Sequence, residues 1–155
     1  MRVSIIGFGF IGKELVKAIK GKISLLKEID ENFKIVGVAD SKGYVYCDKG
    51  LNIENLCDIS KLSKHPDYSF GKTAIDIIDE NLCDIIVEAT PTNIKNGEPG
   101  LTHMREALKR GIHVVTPNKG PLVLAFRELT SLAEKNNCEL LYEGTVAGAI
   151  PIFSL

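Results

Sequence analysis

The sequence predicts an α/β fold with a doubly wound, mainly parallel sheet and helices on both of its faces. Short apolar runs typical of strands alternate with amphipathic helical patterns through most of the 155 residues. The run at residues 34–40 is apolar enough for a strand that is buried on both faces, as in a helix-covered parallel sheet. A composition of 45% hydrophobic and 25% charged residues suits one globular core and excludes wholesale disorder.

The first elements form a βαβ unit. A short strand at residues 3–6 stops at Gly7, and apolar residues three and four apart then predict an amphipathic helix over residues 11–29, about five turns long. Gly21 inside this helix predicts a bend or a frayed turn, because glycine weakens a helix interior. The strand at residues 34–40 completes the unit.

Residues 41–72 interrupt the alternation of strands and helices. A tight turn is predicted at residues 48–50, followed by a short helix over residues 53–62 that Pro66 ends. We interpret this segment as an insertion at the edge of the sheet rather than as a separate domain.

The alternation then returns. Helices are predicted over residues 74–78, 101–110 and 121–135, and strands over residues 85–89, 113–116 and 139–142. The last helix should turn one apolar face inward, formed by Leu122, Ala125, Phe126, Leu129, Leu132 and Ala133.

Charge and cysteine content exclude several functional classes. Nineteen basic and twenty acidic residues give a net charge of −1, so the overall charge favours neither nucleic acid nor an anionic membrane as a partner. No apolar run reaches the roughly 18 residues of a membrane helix, and the apolar N-terminal stretch is too short for a signal peptide. The four cysteines lack metal-type spacing, and we expect them to be reduced. The sequence predicts a soluble, cytoplasmic protein.

A glycine-rich motif, G-F-G-F-I-G at residues 7–12, lies between the first strand and the first helix. The bare pattern is common, but within a βαβ unit it is typical of a Rossmann-like dinucleotide-binding domain. Gly7 would make the tight turn, Gly9 would let a pyrophosphate approach the backbone, and Gly12 would let the helix pack on the strand. The helix start at Phe10 and Ile11 would bind the negative charge. The alternative is a purely structural turn.

Asp40 ends the second strand, where an acidic side chain accepts a hydrogen bond from the 2′-OH of the adenosine ribose and favours NAD. Lys42, two residues on, would instead attract the 2′-phosphate of NADP, and Ser41 lies between them. The structural alternatives are a turn opened by Asp40 and Ser41 and a solvated charge at Lys42. The sequence leaves NAD and NADP both open.

Two further loops follow strands at the same edge of the predicted sheet: E-A-T-P-T-N at residues 88–93 and T-P-N-K-G-P at residues 116–121. Doubly wound sheets bind ligands outside the carboxyl ends of their strands, so both loops should face the nicotinamide. Lys119 would be the basic side chain aimed at the reacting carbon. The alternative for Lys119 is a polar loop residue before a helix.

Five motifs in this order resemble homoserine dehydrogenase: G-F-G-F-I-G, E-A-T-P-T-N, N-G-E-P-G, H-V-V-T-P-N-K-G-P-L and Y-E-G-T-V-A-G-A-I-P-I. The resemblance spans essentially the whole chain, and its last two motifs are far more specific than the glycine loop. It implies NAD(P)-dependent interconversion of L-homoserine and L-aspartate 4-semialdehyde in threonine, isoleucine and methionine biosynthesis.

The resemblance also implies roles for particular residues. Lys119 would lie beside the transferred hydride as the catalytic residue. Main-chain carbonyls would hold a monovalent cation (Na⁺) at Glu143, Val146, Gly148 and Ile150, for which an interdomain hinge is the alternative. The residues that bind the cofactor would be Gly7, Gly9, Phe10, Ile11, Gly12, Thr90, Pro91, Thr116 and Asn118.

The resemblance further predicts the domain organisation. Residues 1–141 would be the NAD(P)-binding Rossmann domain, and residues 142–155 a hinge and the truncated start of a substrate and dimerisation domain, through which the full-length protein forms a homodimer. We expect this chain to bind cofactor but not to turn over substrate. Two other functions stay open: a non-catalytic module that senses NAD(P), and another amino-acid-linked enzyme such as an aspartate dehydrogenase. The P-N-K-G-P-L and Y-E-G-T-V motifs disfavour the latter.

Overall fold

The computed structural model describes residues 1–145 and has the predicted α/β architecture. In this part of the chain the strands are β1 (Arg2–Ile6), β2 (Lys34–Ala39), β3 (Gly43–Tyr46), β4 (Ser69–Phe70), β5 (Ile85–Glu88), β6 (His113–Val115) and β7 (Leu140–Leu141). The α-helices are α1 (Phe10–Gly21), α2 (Ile23–Ile29), α3 (Ile53–Asp58), α4 (Ala74–Asp79), α5 (Gly100–Lys109) and α6 (Lys119–Lys135). Two 3-10 turns span Leu62–Lys64 and Glu143–Thr145.

The strands form one sheet in the order β4-β3-β2-β1-β5-β6-β7. Strands β2, β1, β5, β6 and β7 run parallel, whereas β3 and β4 pair antiparallel at one edge. This confirms the mainly parallel sheet and places the predicted insertion at its edge. The chain winds outward from β1 in both directions, so a crevice opens between β1 and β5 at their carboxyl ends.

Side chains of the central strands alternate between two apolar cores. Ile5 packs on the side of α1 and α3, and its neighbour Ile6 packs on the side of α4, α5 and α6. Both are almost fully buried, as are Ile35 and Val36 on β2. The prediction of strands buried on both faces is therefore confirmed.

Two predicted helices differ from the structure in extent. The helix expected over residues 11–29 is divided at Lys22, whose φ of −121° and ψ of 15° are not helical, so the predicted interruption next to Gly21 is confirmed. The helix expected over residues 53–62 ends at Asp58, because Ile59 is extended, and Leu62 is buried from a separate 3-10 turn. The prediction that this helix extends to residue 62 is wrong.

Helix α6 begins two residues earlier than predicted and carries a kink. The side chain of Asn118 accepts a hydrogen bond from the amide of Gly120 at 3.2 Å and so caps the helix. Ala125 has φ of −138° and ψ of 28°, so the regular helical geometry is interrupted there. Phe126, predicted to face inward, is 41% exposed and packs edge-to-face on Tyr142, so that prediction is wrong.

The described residues also set limits on other features. No helix within residues 1–145 is long and apolar enough to cross a membrane. The cysteines are free thiols, and burial raises the pKa of Cys83 to about 11. The predicted division of the chain at residues 141 and 142 stays a prediction, since residues 146–155 lie outside the described part.

Candidate functional site

A cavity of about 670 Å³ lies at the carboxyl ends of β1, β2 and β5, over the crevice of the sheet. Its walls are three loops that follow these strands, the start of α4 and the first turn of α5. The lining residues are 6–11, 39–41, 73–74 and 89–92, with Pro99 and His103. The cavity therefore lies where doubly wound sheets bind ligands.

The structure gives a different reason for glycine at each of the three glycine positions of the first loop. Gly7 has a φ of +106°, and a Cβ there would lie 2.6 Å from the carbonyl group of Ala89. A Cβ on Gly12 would lie 2.1 Å from the carbonyl oxygen of Gly7. A Cβ on Gly9 would meet no described atom within 4 Å. The fold thus requires Gly7 and Gly12, whereas Gly9 leaves open space on the wall of the cavity.

The start of α1 faces this open space. Gly9 is the N-cap residue and supplies no side-chain cap, and the first turn holds no acidic residue. Amide N–H groups at a helix start have no partner within the helix and carry the positive end of its dipole. Phe10 and Ile11 are 82% and 50% exposed at this position. The arrangement suits a phosphate group, as the sequence predicts.

Asp40 lines the cavity beside Ser41, and hydrogen bonds from other residues fix its side chain. Its Oδ1 accepts hydrogen bonds from the amides of Lys42 at 2.8 Å and Gly43 at 3.1 Å, and from the hydroxyl of Tyr68 at 2.7 Å. Oδ2 takes none of these three donors. The side chain of Lys42 is exposed and does not line the cavity.

Tyr68 is a residue that the sequence analysis missed. Burial and the hydrogen bond with Asp40 raise the pKa of Tyr68 to about 12, so its hydroxyl stays protonated and donates. Tyr68 and Asp40 are 28 residues apart and meet only because β4 pairs with β3. A two-residue strand gives almost no signal in a sequence.

Glu88, also missed, ties the loops after β5 and β6 together. It is fully buried, and its Oε1 accepts from the amide of Thr90 at 3.1 Å and from the Thr90 hydroxyl. Its Oε2 accepts from the Asn118 amide group at 3.0 Å, and its carbonyl oxygen accepts from the Thr116 hydroxyl at 2.9 Å. Thr90 and Pro91 line the cavity, whereas Thr116 and Asn118 are buried behind it. An acidic residue within an apolar strand was the available signal.

His103 on α5 is a third missed residue. It lines the cavity and is 8% exposed. Its buried Nδ1 has no hydrogen-bond partner among residues 1–145 and lies 3.8 Å from Oε1 of Glu88. A polar atom of α5 thus lies close to the Glu88 network at the cavity.

The predicted catalytic residue Lys119 and the predicted cation ligand Glu143 do not line the cavity, and the other predicted cation ligands lie outside the described part. Lys119 is exposed as the first residue of α6 and forms no ion pair with residues 1–145. Glu143 begins a 3-10 turn, and the neighbouring Gly144 packs near Pro117. The other predicted cation ligands, Val146, Gly148 and Ile150, lie outside the described residues. Within residues 1–145 no cluster of acidic, cysteine or histidine side chains could hold a metal ion.

The winding of the sheet, the open glycine at a helix start and the acidic residue after β2 together define a Rossmann-like dinucleotide-binding domain. The family model described as "Homoserine dehydrogenase, NAD binding domain" matches residues 7–143. The chain belongs to this family, which confirms the resemblance seen in its motifs.

Relatives of known name agree with this assignment. The chain is 38% identical to the homoserine dehydrogenase of Methanocaldococcus jannaschii, over 100% of this chain and 47% of the relative. It is 37% identical to the NAD(+)-dependent homoserine dehydrogenase of Pseudomonas canavaninivorans, over 99% of this chain and 46% of the relative. The chain therefore spans about half the length of these relatives.

Solved structures share the fold. A protein from Archaeoglobus fulgidus described as a homoserine dehydrogenase superposes with a TM-score of 0.85 at 34% identity, over 100% of this chain and 46% of that one. A mutant hyperthermophilic archaeal homoserine dehydrogenase in complex with NADPH gives 0.77 at 25% identity, over 99% and 46%. The family and these neighbours support NAD or NADP as the cofactor of this domain.

Proposed function

We propose that the chain is the cofactor-binding part of an NAD(P)-dependent homoserine dehydrogenase that interconverts L-homoserine and L-aspartate 4-semialdehyde. The observation that carries the binding role is Gly9, which lies open on the cavity wall at the uncapped start of α1. The fold itself gives no reason for a glycine there, whereas a pyrophosphate that contacts the backbone does. The reaction is proposed from the family to which the chain belongs.

The cofactor would lie across the cavity with its adenosine ribose beside Asp40 and Ser41. Oδ2 of Asp40 would accept from the ribose hydroxyls, because the three protein donors all bond Oδ1. Lys42 could bind a 2′-phosphate, but it does not line the cavity. This arrangement favours NAD over NADP.

The loops after β5 and β6 would hold the nicotinamide and its ribose. Thr90 and Pro91 face the cavity and would contact them directly. Thr116 and Asn118 would act indirectly. Their side chains donate hydrogen bonds to Glu88 and so fix the position of both loops. A rigid loop holds the ring in one orientation, which is a large part of what hydride transfer requires.

Lys119 would serve the substrate side of the reaction. When bound, the nicotinamide gives or accepts a hydride at the substrate carbon. The Lys119 ammonium group has no ion pair with a described residue and can donate a hydrogen bond to the substrate oxygen on which negative charge develops.

Further properties of the whole protein are proposed from the family to which the chain belongs. They are a cytoplasmic location, a homodimer and a Na⁺ site built from carbonyls of Glu143, Val146, Gly148 and Ile150. The turn Glu143–Thr145 lies beside the loop after β6, where a Cβ on Gly144 would lie 3.5 Å from Cβ of Pro117.

Titration with NADH and NADPH tests the binding role. The chain has no tryptophan, so the fluorescence of the reduced nicotinamide can be followed without interference from that residue. We expect saturable binding of at least one of the two cofactors. A folded wild-type chain that binds neither would contradict the proposal.

A further inference from the structure

We propose that Tyr68, delivered by the antiparallel edge insertion, is a positioning residue that orients Asp40 and thereby makes the site prefer NAD to NADP. This inference rests on the proposed function, because it concerns the same dinucleotide site. It assigns a role to a segment, residues 43–70, that the nucleotide-binding motifs leave unexplained.

The hydrogen bonds of Asp40 carry the first step. Oδ1 accepts three donors, at 2.8, 3.1 and 2.7 Å, from the amides of Lys42 and Gly43 and from the Tyr68 hydroxyl. The two amides belong to the turn that Asp40 opens, so they hold the carboxylate only locally. Tyr68 comes from a distant part of the chain and fixes the rotation of the side chain. Oδ2 takes none of these donors and is the oxygen left to accept from a ligand.

The insertion holds Tyr68 in place. Ser69 and Phe70 pair with Tyr44 and Gly43, and the ring of Phe70 packs edge-to-face on the Tyr68 ring with centroids 5.7 Å apart. Gly43 leaves space for both the strand pairing and the phenol, because a Cβ there would lie 2.3 Å from the carbonyl oxygen of Ser69, 2.7 Å from Cζ and 2.8 Å from the hydroxyl oxygen of Tyr68.

The chemistry of the phenol fits this role. Its raised pKa, about 12, keeps the hydroxyl protonated at neutral pH, so it can donate to Oδ1 of Asp40. An oriented carboxylate accepts from the two ribose hydroxyls of NAD, whereas it repels the 2′-phosphate of NADP. Tyr68 does not line the cavity, so it acts only through Asp40.

Tyr68→Phe removes the hydroxyl and keeps the ring. We expect the dissociation constant for NADH to rise about fivefold to tenfold and that for NADPH to change less than about twofold, so the preference for NADH falls. Tyr46→Phe is the matched control, because the Tyr46 hydroxyl contacts Asp48 and the carbonyl of Leu82 away from the cavity. It should leave both constants unchanged.

A double-mutant cycle separates positioning from a general structural effect. In an Asp40→Ala background, Tyr68→Phe should have no further effect on NADH binding. Phe70→Leu, which removes the ring packed on Tyr68 and keeps the Tyr68 hydroxyl, should lower the preference in the same direction and keeps the test decidable if Tyr68→Phe does not fold.

The possible outcomes are distinct. Equal losses for NADH and NADPH, an unchanged preference in Tyr68→Phe, or a full effect in the Asp40→Ala background would each overturn this inference alone. Failure of the wild-type chain to bind either cofactor would instead overturn the proposed function.

Discussion

At the scale of single residues, the three glycines of the motif are needed for different physical reasons. The fold requires glycine at positions 7 and 12, because a Cβ there would lie 2.6 and 2.1 Å from backbone atoms, and Gly7 also has a positive φ. Gly9 has no such contact within 4 Å. Stability and ligand binding should therefore respond to different members of the motif.

We expect Gly9→Val to abolish detectable dinucleotide binding and to leave the free energy of unfolding nearly unchanged, because the added side chain enters the space of the pyrophosphate. Gly12→Ala should lower the free energy of unfolding by about 1–3 kcal/mol, since its Cβ collides with the carbonyl of Gly7. Urea unfolding and NADH titration measure the two effects. Strong NADH binding by a folded Gly9→Val variant would remove this loop from the site.

At the scale of elements, buried and half-buried carboxylates connect segments that are distant in sequence. Asp84, just before β5, accepts from the side chain of Arg2 on β1 at 2.8 and 3.1 Å and from its backbone amide at 2.7 Å. Glu88, at the other end of β5, connects the two loops that the cofactor would contact. Asp84 therefore connects β1 to the start of β5, and Glu88 connects the loop after β5 to the loop after β6.

The Asp84 pair predicts a dependence of stability on pH. Burial alone raises the pKa of Asp84, but the hydrogen bonds from Arg2 outweigh it and lower the pKa below its usual value. Ionised Asp84 thus stabilises the fold fully above the unfolded-state value of about 3.9, and this contribution is lost as the pH falls through the lower folded-state pKa. The pair is partly exposed, so Asp84→Asn should cost about 0.5–1 kcal/mol at pH 7.

Chemical unfolding of the wild type and of Asp84→Asn between pH 7 and pH 3 measures this contribution. The difference between the two free energies of unfolding should shrink below about pH 4. Glu134→Gln serves as a control, because the side chain of Glu134 is exposed and forms no ion pair with the described residues. A difference that grows toward low pH would contradict the assigned direction of the shift.

Glu88→Ala should lower the free energy of unfolding by about 2–4 kcal/mol, because it leaves buried donors of Thr90 and Asn118 without their acceptor. The same variant should weaken NADH binding, since both loops lose their shared anchor. Glu88→Gln keeps the shape and part of the hydrogen bonding, so its effect should be smaller. Thermal unfolding with and without NADH measures both effects, and a neutral Glu88→Ala would refute the anchoring role.

At the scale of the whole molecule, the chain covers 46–47% of the length of the homoserine dehydrogenases from Methanocaldococcus jannaschii and Pseudomonas canavaninivorans. The described cavity follows the glycine loop, Asp40 and the loop after β5, so it fits a cofactor. Hydride transfer also requires the substrate carbon to be held about 3–3.5 Å from the nicotinamide. Lys119 alone would contact only one end of a small amino acid.

We therefore expect residues 1–155 to bind NAD(P)H and to oxidise homoserine at a rate near background. In a protein that also carries the half present in the relatives, turnover should be robust, and Lys119→Ala should lower kcat far more than it raises KM. Lys95→Ala is a control on another exposed loop lysine. Rapid turnover by residues 1–155 alone would show that the substrate site lies within this chain.

Much of the architecture and of the cofactor loop follows from local sequence patterns. Apolar periodicity predicts the strands and helices, and the glycine motif between β1 and α1 predicts the dinucleotide loop, because both depend on residues adjacent in the chain. The position of Asp40 after β2 follows in the same way. The break next to Gly21 was also predictable, since it arises from an intrinsic property of glycine.

Tertiary structure decided what depends on contacts between distant segments. The three donors on Oδ1 of Asp40 include Tyr68, 28 residues away, and the buried ring of contacts around Glu88 joins residues 28 to 30 positions apart. Phe126, next to the kink at Ala125, is 41% exposed although its spacing predicted an inward position. Periodicity reports which residues share a face of one element, whereas packing between elements decides which atoms meet, and the sequence alone contains no direct measure of that.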